Sequence, residues 1–383
     1  MSLRAVPYTP PSWAKQLLAP SYGRLPLARL PTPVVPWACP ELADLNVDWW
    51  IKRDDLTGSE AAGNKARKLE FLAAEAVAQG CDSLVTIGGL QSNHCRATAA
   101  AARLAGLEPH LVLLVRDREI DSEVGLGGNL LVERLLGAKL HLCAAKRYVR
   151  YGADMSAMER LNTEAADELR RQGKNPYVVP VGGTTPLGTW GYLAAVEELR
   201  LQQRASQRAA TSAPVSAAVP SFDHIVVACG SGGTAAGLAL GKQLSGLGGE
   251  LHAVNVQHTP ELFYERIQHE ASQLATDRSE LDTLGSSREW LTIHDGGRLG
   301  YGNTDRRELE SILRVGAASG VLLDYVYTGK ALFHFCEHAR SNPSRFRGKR
   351  ILFWHTGGLP GLAAKEAELL GLLEQPGRLN ERE

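Results

Sequence analysis

The sequence lacks a net charge and any apolar run of membrane length. Its 42 Lys and Arg residues equal its 42 Asp and Glu residues, so no net field exists to attract nucleic acid or an anionic membrane surface. No apolar stretch approaches the roughly 20 residues needed to cross a bilayer. Residues 1–30 lack the charged and apolar regions of a secretion signal. We therefore expect a small-molecule substrate, no nucleic acid and no membrane.

Paired cysteines are also missing. The six cysteines are scattered without a Cys-x-x-Cys pair, and several lie in apolar runs typical of reduced, buried thiols. This usage predicts a reducing compartment, the cytoplasm, and we expect no bound metal. With 383 residues, the chain is long enough for two domains, because single cores stop growing near about 250 to 300 residues.

Helical and strand patterns alternate along most of the chain from Lys68 onward. This alternation is typical of an α/β fold, in which helices cover both faces of parallel sheets. Ligands bind such sheets beyond the carboxyl ends of the strands. Residues 201–221, rich in Ala, Ser, Pro and Gln, are predicted to be a flexible insertion. The strand candidates are residues 84–87, 110–115, 139–143, 177–181, 224–229, 251–256 and 350–354.

A glycine-rich turn follows the strand predicted at residues 224–229. It reads Gly230-Ser231-Gly232-Gly233-Thr234 and leads into a helix. Such a turn offers backbone N–H groups and the positive end of a helix dipole to an anion. Glycines let the backbone approach closely, and the two hydroxyls add donors. We therefore predict that residues 230–234 bind a phosphate.

Two nucleotide interpretations of this turn are weaker. The string fits the dinucleotide fingerprint G-x-G-x-x-A, which also needs an acidic residue at the end of the next strand. Here that strand ends in Val256-Gln257-His258, without a carboxylate. A nucleotide P-loop needs Gly-Lys-Ser/Thr after the turn, and none follows. A tight turn that binds nothing stays open from this motif alone.

Lys65 lies where a glycine-loosened segment enters a helix. A lysine amine forms an imine with an aldehyde cofactor, and a nearby cation makes it nucleophilic by lowering its pKa. Arg67 and Lys68 are candidates for that charge. Taken alone, however, three basic residues in four positions are more typical of a solvated helix face.

A polar cluster opens the next helix. Gln91, Ser92, Asn93 and His94 follow a glycine turn, and four such side chains at a helix N-terminus can bind a carboxylate or position a proton. Simple N-capping by Ser92 or Asn93 is an equally good explanation. A lone histidine is more often structural than catalytic.

Seven motifs spread over residues 30–362 give the sequence a family resemblance. They are IKRDD, GNKARKLEFL, IGGLQSNH, PVGGTTPLGTWGY, GSGGTAAG, LDYVYTGKA and HTGGLPGL. In this order they resemble the 1-aminocyclopropane-1-carboxylate deaminase and D-cysteine desulfhydrase family, within the tryptophan-synthase-β-like group of pyridoxal-phosphate enzymes. The resemblance implies fold type II, with two open, twisted, mostly parallel sheets flanked by helices, and a homodimer. It also implies a large cofactor-binding domain of residues 1–67 and 183–383 and a small domain of residues 68–182.

The resemblance assigns the cofactor contacts. It implies that Lys65 carries pyridoxal 5'-phosphate as an imine and that Gly230, Ser231, Gly232, Gly233 and Thr234 hold the phosphate. Asn93 matches the residue that faces the ring hydroxyl, and Thr328 matches the position next to the pyridine nitrogen.

The resemblance also assigns the substrate contacts. Ser92 matches the serine that contacts the substrate as nucleophile or proton carrier. Tyr301 and Tyr327 match the pair of tyrosines over the substrate, with Asn93 and His94 beside them. The expected catalytic residues are Lys65, Ser92, Tyr301 and Tyr327.

Two positions bear on the substrate. Cyclopropane deaminases carry a glutamate where this chain has Thr328 and a glutamine where it has His94, and both residues here match the desulfhydrases. A carboxylate keeps the pyridine ring a stronger electron sink than a neutral hydroxyl does. Ring opening of a substrate without an α-hydrogen is expected to need the stronger sink, whereas elimination of a thiolate needs less. Tyr325 departs from the family's usual proline.

These residues predict that D-cysteine is converted to pyruvate, hydrogen sulfide and ammonia by α,β-elimination and deamination. Lys65 is expected to remove the α-proton with Ser92 nearby. Alternatives are a cyclopropane-carboxylate deaminase, an L-cysteate sulfo-lyase and a serine racemase or dehydratase. A pyridoxal-phosphate-binding protein without activity and, more distantly, a nicotinamide oxidoreductase also stay open.

Overall fold

Ten strands divide between two sheets in the computed structural model, which describes residues 2–115, 126–151, 154–209, 218–277, 279 and 283–373. The larger sheet consists of β1 (Val34–Pro36), β2 (Asp48–Arg53), β7 (His224–Cys229), β8 (Glu250–Asn255), β9 (Thr292–Asp295) and β10 (Arg350–His355). Its strand order is β1-β2-β10-β7-β8-β9. All neighbours are parallel except β1, which runs antiparallel to β2.

The smaller sheet is entirely parallel. It consists of β3 (Ser83–Gly89), β4 (Glu108–Val115), β5 (Lys139–Ala144) and β6 (Pro176–Val178), in the order β5-β4-β3-β6. The predicted α/β fold of two open, mostly parallel sheets flanked by helices is thereby confirmed. The strand predicted at residues 177–181 is shorter than expected, because a 3₁₀ turn begins at Val181. Strands β1 and β9 were not predicted.

Thirteen α-helices lie among the described residues. They are α1 (Asn64–Ala78), α2 (Asn93–Ala105), α3 (Gly128–Leu135), α4 (Ala145–Arg150), α5 (Met155–Arg171), α6 (Pro186–Ala209), α7 (Gly233–Ser245), α8 (Pro260–Leu274), α9 (Ser287–Trp290), α10 (Arg306–Ser319), α11 (Thr328–Ser341), α12 (Pro343–Phe346) and α13 (Glu366–Leu373). None of these combines the length and the apolar character that crossing a bilayer requires.

Strand β7 shows why the large sheet holds together. Ile225, Val227 and Cys229 belong to one apolar cluster, and Val226 and Ala228 belong to another. Since successive strand side chains point to opposite faces, β7 is buried on both sides. This continuous apolar strand ends directly at the glycine turn, which it therefore holds rigidly at the sheet edge.

Helix α2 positions the polar cluster from Gln91 to His94, which lies at its N-terminus. Ser92 caps its start by accepting a hydrogen bond from the Cys95 backbone N–H, and Gly106 ends it in the left-handed conformation. Its interior is mostly alanine, which favours helix and lets the backbone pack closely.

Helix α6 extends into the segment predicted as an insertion. It continues to Ala209, so the prediction of a flexible insertion is wrong for residues 201–209, and residues 210–217 lie outside the described part. Gln202 explains the helical half, because its side chain donates to the Thr32 carbonyl over 2.8 Å. The domain division at residues 67 and 182 stays a prediction, with α1 crossing its first boundary.

Candidate functional site

The two sheets and helix α1 enclose one cavity of about 350 Å³. The side chains predicted from three separate motifs meet there. Of the predicted site residues, Gly233 and Thr328 are not in the cavity wall. Those that line it are Lys65, Ser92, Asn93, His94, Gly230, Ser231, Gly232, Thr234, Tyr301 and Tyr327.

Lys65 enters the cavity from the first turn of α1. Its Nζ donates to Asn64 Oδ1 over 3.1 Å and lies 6.0 Å from the centre of the Tyr327 ring. The turn before it depends on Gly63, which has a φ of +104° and whose missing Cβ would lie 2.7 Å from the Thr356 carbonyl oxygen. A side chain at residue 63 would therefore push Lys65 out of place.

Burial makes Lys65 a good nucleophile. Loss of solvent lowers its pKa from 10.5 to about 8, the charge of Arg96 adds to this effect, and the charge of Asp324 opposes it. The expectation that Arg67 supplies the lowering charge is wrong, since its guanidinium pairs with Asp54 and Glu198. Neither Arg67 nor Lys68 forms a solvated face, because each is only 1% exposed.

The glycine turn forms an anion cradle between β7 and α7. Gly232 has a φ of +96°, which a side chain would strain. The first N–H groups of α7 have no partner within the helix and point toward the turn. Ser231 Oγ lies 2.7 Å from Thr184 Oγ1, and Thr234 Oγ1 accepts from Asn64 Nδ2 over 3.0 Å.

Lys68 supplies a cation to this cradle, which sequence reasoning did not assign. Its Nζ donates to the Gly182 carbonyl over 3.1 Å, and a Cβ built on Gly233 would lie 2.7 Å from it. Burial, followed by the charge of Lys65, lowers the pKa of Lys68 well below its usual value. A phosphate dianion would favour the protonated form of this buried amine, and the resulting ammonium beside a nest of N–H groups fits the dianion.

Ser92 offers a hydrogen-bond donor to the cavity, and His94 offers an acceptor. Ser92 Oγ accepts from the Cys95 N–H over 3.2 Å, which leaves its own proton to donate. Thr86 Oγ1 donates to the Val179 carbonyl, so His94 Nε2 is the donor to Thr86 at 2.9 Å. Burial and the charges of Lys65 and Lys68 hold the pKa of His94 well below its usual range. The neutral ring therefore keeps an unprotonated Nδ1, which has no partner in the described structure.

Asn129 orients Asn93. This fully buried asparagine donates from Nδ2 to Asn93 Oδ1 over 3.0 Å and to the Gln91 carbonyl over 2.9 Å. Arg96 Nε donates to Asn129 Oδ1 over 2.7 Å, which fixes the direction of that amide. Because the oxygen of Asn93 is taken, its NH₂ group is the end left to donate to a ligand.

Tyr301 and Tyr327 form a hydroxyl pair. Their oxygens are 2.7 Å apart and their rings meet edge to face, with centroids 6.0 Å apart. Burial of the hydroxyl raises the pKa of Tyr301 to about 12, although 43% of the residue is exposed, and burial holds the pKa of Tyr327 well above its ordinary value. Both tyrosines therefore stay protonated near neutral pH, and their hydroxyls are hydrogen-bond donors.

Thr328 lies behind the cavity wall, at the start of α11. Its Oγ1 donates to Asp324 Oδ1 over 2.7 Å and accepts from the Asp324 N–H over 2.9 Å. The same carboxylate accepts from the backbone N–H groups of Val326, Tyr327 and Thr328. The hydroxyl proton of Thr328 is thus committed to a carboxylate, which the sequence pattern did not indicate.

Several wall residues were present in quoted motifs without an assigned role. Asn64 stands next to Lys65, Gly182 belongs to PVGG, and Thr356 and Gly357 belong to HTGG. The signal that would have found Lys68 is its spacing, because a residue three positions after Lys65 lies on the same helix face.

A family model described as pyridoxal-phosphate dependent enzyme matches residues 25–357. The chain is 42% identical over 379 residues to a bifunctional D-cysteine desulfhydrase/1-aminocyclopropane-1-carboxylate deaminase, mitochondrial, of Arabidopsis thaliana. That match covers 98% of this chain and 88% of the relative.

One further relative and one solved structure are similar to this chain and carry names from the same family. A D-cysteine desulfhydrase of Serratia proteamaculans is 37% identical over 318 residues, covering 82% of this chain and 88% of the relative. A crystal structure described as an ACC deaminase homologue superposes with a TM-score of 0.70 at 33% identity. The superposition covers 92% of this chain and 97% of that structure.

Proposed function

The chain belongs to the 1-aminocyclopropane-1-carboxylate deaminase and D-cysteine desulfhydrase family of pyridoxal-phosphate-dependent lyases, and from this premise we propose that its substrate is D-cysteine. The products are pyruvate, hydrogen sulfide and ammonia. The observation that carries the proposal is the single cavity in which a low-pKa lysine and an anion cradle lie together.

The cofactor of the family, pyridoxal 5'-phosphate, fits the residues present. We assign its aldehyde carbon to Lys65 Nζ and its phosphate to residues 230–234 with Lys68. Asn93 offers an NH₂ donor of fixed direction to the ring hydroxyl. Bound there, the cofactor supplies an electron sink for the electron pair left at the substrate α-carbon.

Proton movements fall to the chain's own residues. With a pKa of about 8, a useful fraction of Lys65 amine is neutral near neutral pH and accepts the α-proton. Ser92 is a hydroxyl donor within the same wall and holds the substrate carboxylate. The Tyr301–Tyr327 pair donates a hydrogen bond to the departing hydrosulfide, because both hydroxyls stay protonated.

Two side chains favour D-cysteine over the cyclopropane acid. His94 offers an unprotonated, unpartnered nitrogen that accepts a hydrogen bond from a thiol or ammonium group. Thr328 is a neutral hydroxyl at the position where cyclopropane deaminases carry a glutamate, and ring opening needs that stronger sink. Its hydroxyl donates to Asp324 Oδ1 over 2.7 Å, so the side chain itself remains uncharged.

A substrate panel tests this proposal. Pyruvate release is measured for D-cysteine, L-cysteate, D-serine and 1-aminocyclopropane-1-carboxylate, with 2-oxobutyrate measured for the last and enantiomer analysis for each amino acid. We expect D-cysteine to have the highest kcat/KM and to release one sulfide per pyruvate. A higher kcat/KM for any other member of the panel refutes the D-cysteine assignment. The cytoplasmic location and the homodimer stay predictions.

A further inference from the structure

Three metal-ligating side chains meet at the amino-terminal edge of the large sheet, opposite the edge that carries the glycine turn. His224 begins β7 and Glu250 begins β8, and the strand register pairs these two residues directly. His252 is two positions after Glu250, so it points to the same face of β8. Local strand geometry therefore brings one atom from each side chain to a common point.

The distances between these atoms match a metal centre. His224 Nδ1 lies 3.1 Å from His252 Nε2 and 3.4 Å from Glu250 Oε2, and the third distance, from His252 Nε2 to Glu250 Oε2, is 3.6 Å. A tetrahedral zinc ion with bonds of about 2.0 to 2.1 Å holds its ligand atoms about 3.4 Å apart. In the described part of the chain, this is the one group of three His, Cys, Asp or Glu residues whose ligand atoms lie this close together.

The surroundings hold His252 in place, whereas the outer nitrogen of His224, Nε2, has no hydrogen-bond partner among the described residues. His252 Nδ1 lies 2.9 Å from His294 Nε2, so the nitrogen that does not face the triangle is hydrogen-bonded, as in most metal-binding histidines. His252 and His224 are 0% and 4% exposed, whereas Glu250 is 54% exposed. Two ligands are thus fixed on rigid strands, and the third opens a path to solvent.

We propose that His224, Glu250 and His252 bind a divalent transition-metal ion, with zinc favoured, and that a water completes the tetrahedron. Two imidazoles and one carboxylate suit zinc better than calcium or magnesium, which prefer oxygen ligands. This inference departs from the expectation of no metal and is independent of the proposed substrate. Because the ion cross-links the first residues of β7 and β8, its effect is on stability.

Arg345 competes with the ion. Its guanidinium lies 2.5 Å from Glu250 Oε2, the same oxygen that faces the two histidines. A bound cation therefore has to displace Arg345 or share this carboxylate with it. Removing the arginine charge is expected to strengthen metal binding, whereas a purely structural histidine pair gains nothing from its removal.

The test is a titration of the holoenzyme with Zn²⁺ and Co²⁺. Equilibrium dialysis with metal analysis gives stoichiometry and affinity, and the visible absorption of bound Co²⁺ reports a tetrahedral site. Thermal unfolding is followed in parallel. Glu250→Gln removes a ligand, Arg345→Gln removes the competitor, and Glu310→Gln is the control, since Glu310 is a partly exposed residue of α10 that pairs with Arg306.

We expect one Zn²⁺ per chain, a tetrahedral Co²⁺ spectrum and a higher Tm with metal. Glu250→Gln should weaken binding at least about tenfold, Arg345→Gln should strengthen it, and Glu310→Gln should match the parent. Absence of saturable binding in both the parent and Arg345→Gln overturns the proposal. Equal affinity in the parent and Glu250→Gln also overturns it, because the ion then binds elsewhere on the surface.

Discussion

Helix α1 carries two kinds of buried cation, and their partners differ. Arg67 donates to Asp54 and Glu198 through four hydrogen bonds of 2.7 to 3.0 Å. Lys65, which lines the cavity, donates to Asn64, and Lys68, which lies beside Gly233 outside the cavity wall, donates to the Gly182 carbonyl, so each has one neutral oxygen as acceptor. The first arrangement compensates buried charge, and the second leaves it available to a ligand.

The pKa shifts follow this difference. Although burial disfavours the charged form of Asp54, the neighbouring Arg67 lowers its pKa to about 2. Burial instead lowers the pKa of Lys65 to about 8 and holds the pKa of Lys68 well below its ordinary value, although the charges of Asp324 and Glu270, respectively, oppose these shifts. Arg67 therefore contributes to stability. Lys65 and Lys68, one or two positions away on the same helix, are left for the chemistry that we propose.

The largest effect is expected from Lys65→Ala. Loss of the amine removes both the cofactor bond and the proton acceptor, so turnover should fall by about a thousandfold or more. Pyruvate release and the visible absorbance of the cofactor measure the two losses. Stability should change little, because Lys65 forms no ion pair with any residue that the structure describes and donates only to the neutral Asn64 side chain. A yellow, active Lys65→Ala protein would contradict the assignment.

In contrast to Lys65→Ala, Arg67→Met should act mainly on the stability of the protein. It leaves Asp54 buried with a charge and without its main partner, at a cost of about 3 to 5 kcal/mol in the free energy of unfolding. Denaturant titration measures this cost, and Arg306→Gln, an exposed arginine, is the control. A denaturation midpoint of Arg67→Met equal to that of the parent would contradict the stabilising role of Arg67.

Lys68→Met should weaken cofactor binding without such destabilisation. Loss of a charge-assisted hydrogen bond to phosphate is worth about 1.5 to 3 kcal/mol, or roughly tenfold to a hundredfold in affinity. Titration of the apoprotein with pyridoxal phosphate gives the dissociation constant, and pyridoxal, which lacks the phosphate, serves as the matched ligand. Equal losses for both aldehydes would place Lys68 away from the phosphate.

The smallest effect is a pH dependence. Only the neutral Lys65 amine attacks an aldehyde, so the rate of recombination with pyridoxal phosphate should rise with pH and level off above about 8. An ordinary lysine with a pKa of about 10.4 would keep rising beyond that point. Stopped-flow absorbance measures the profile. A midpoint near 10 would show that Lys65 is solvated in the apoprotein.

Local sequence determined much of this protein. The alternating patterns predicted the parallel sheets, and the string from Gly230 to Thr234 predicted the anion cradle, because a strand, a glycine turn and a helix start create that geometry from neighbouring residues alone. Local sequence did not decide the roles of Lys65 or of the cluster from Ser92 to His94, because a solvated helix face and simple N-capping explained them at least as well; the family resemblance assigned those roles.

Only the tertiary structure decided which of the buried cations are paired with carboxylates. Nothing near Arg67 or Lys68 in the chain distinguishes them, whereas Glu198 and Gly182 lie more than 100 residues away from them. The proposed metal site at His224, Glu250 and His252 likewise depends on the register of β7 against β8. The physical reason is that burial and charge pairing depend on partners brought together by folding, whereas turn geometry depends on backbone conformations that neighbouring residues set.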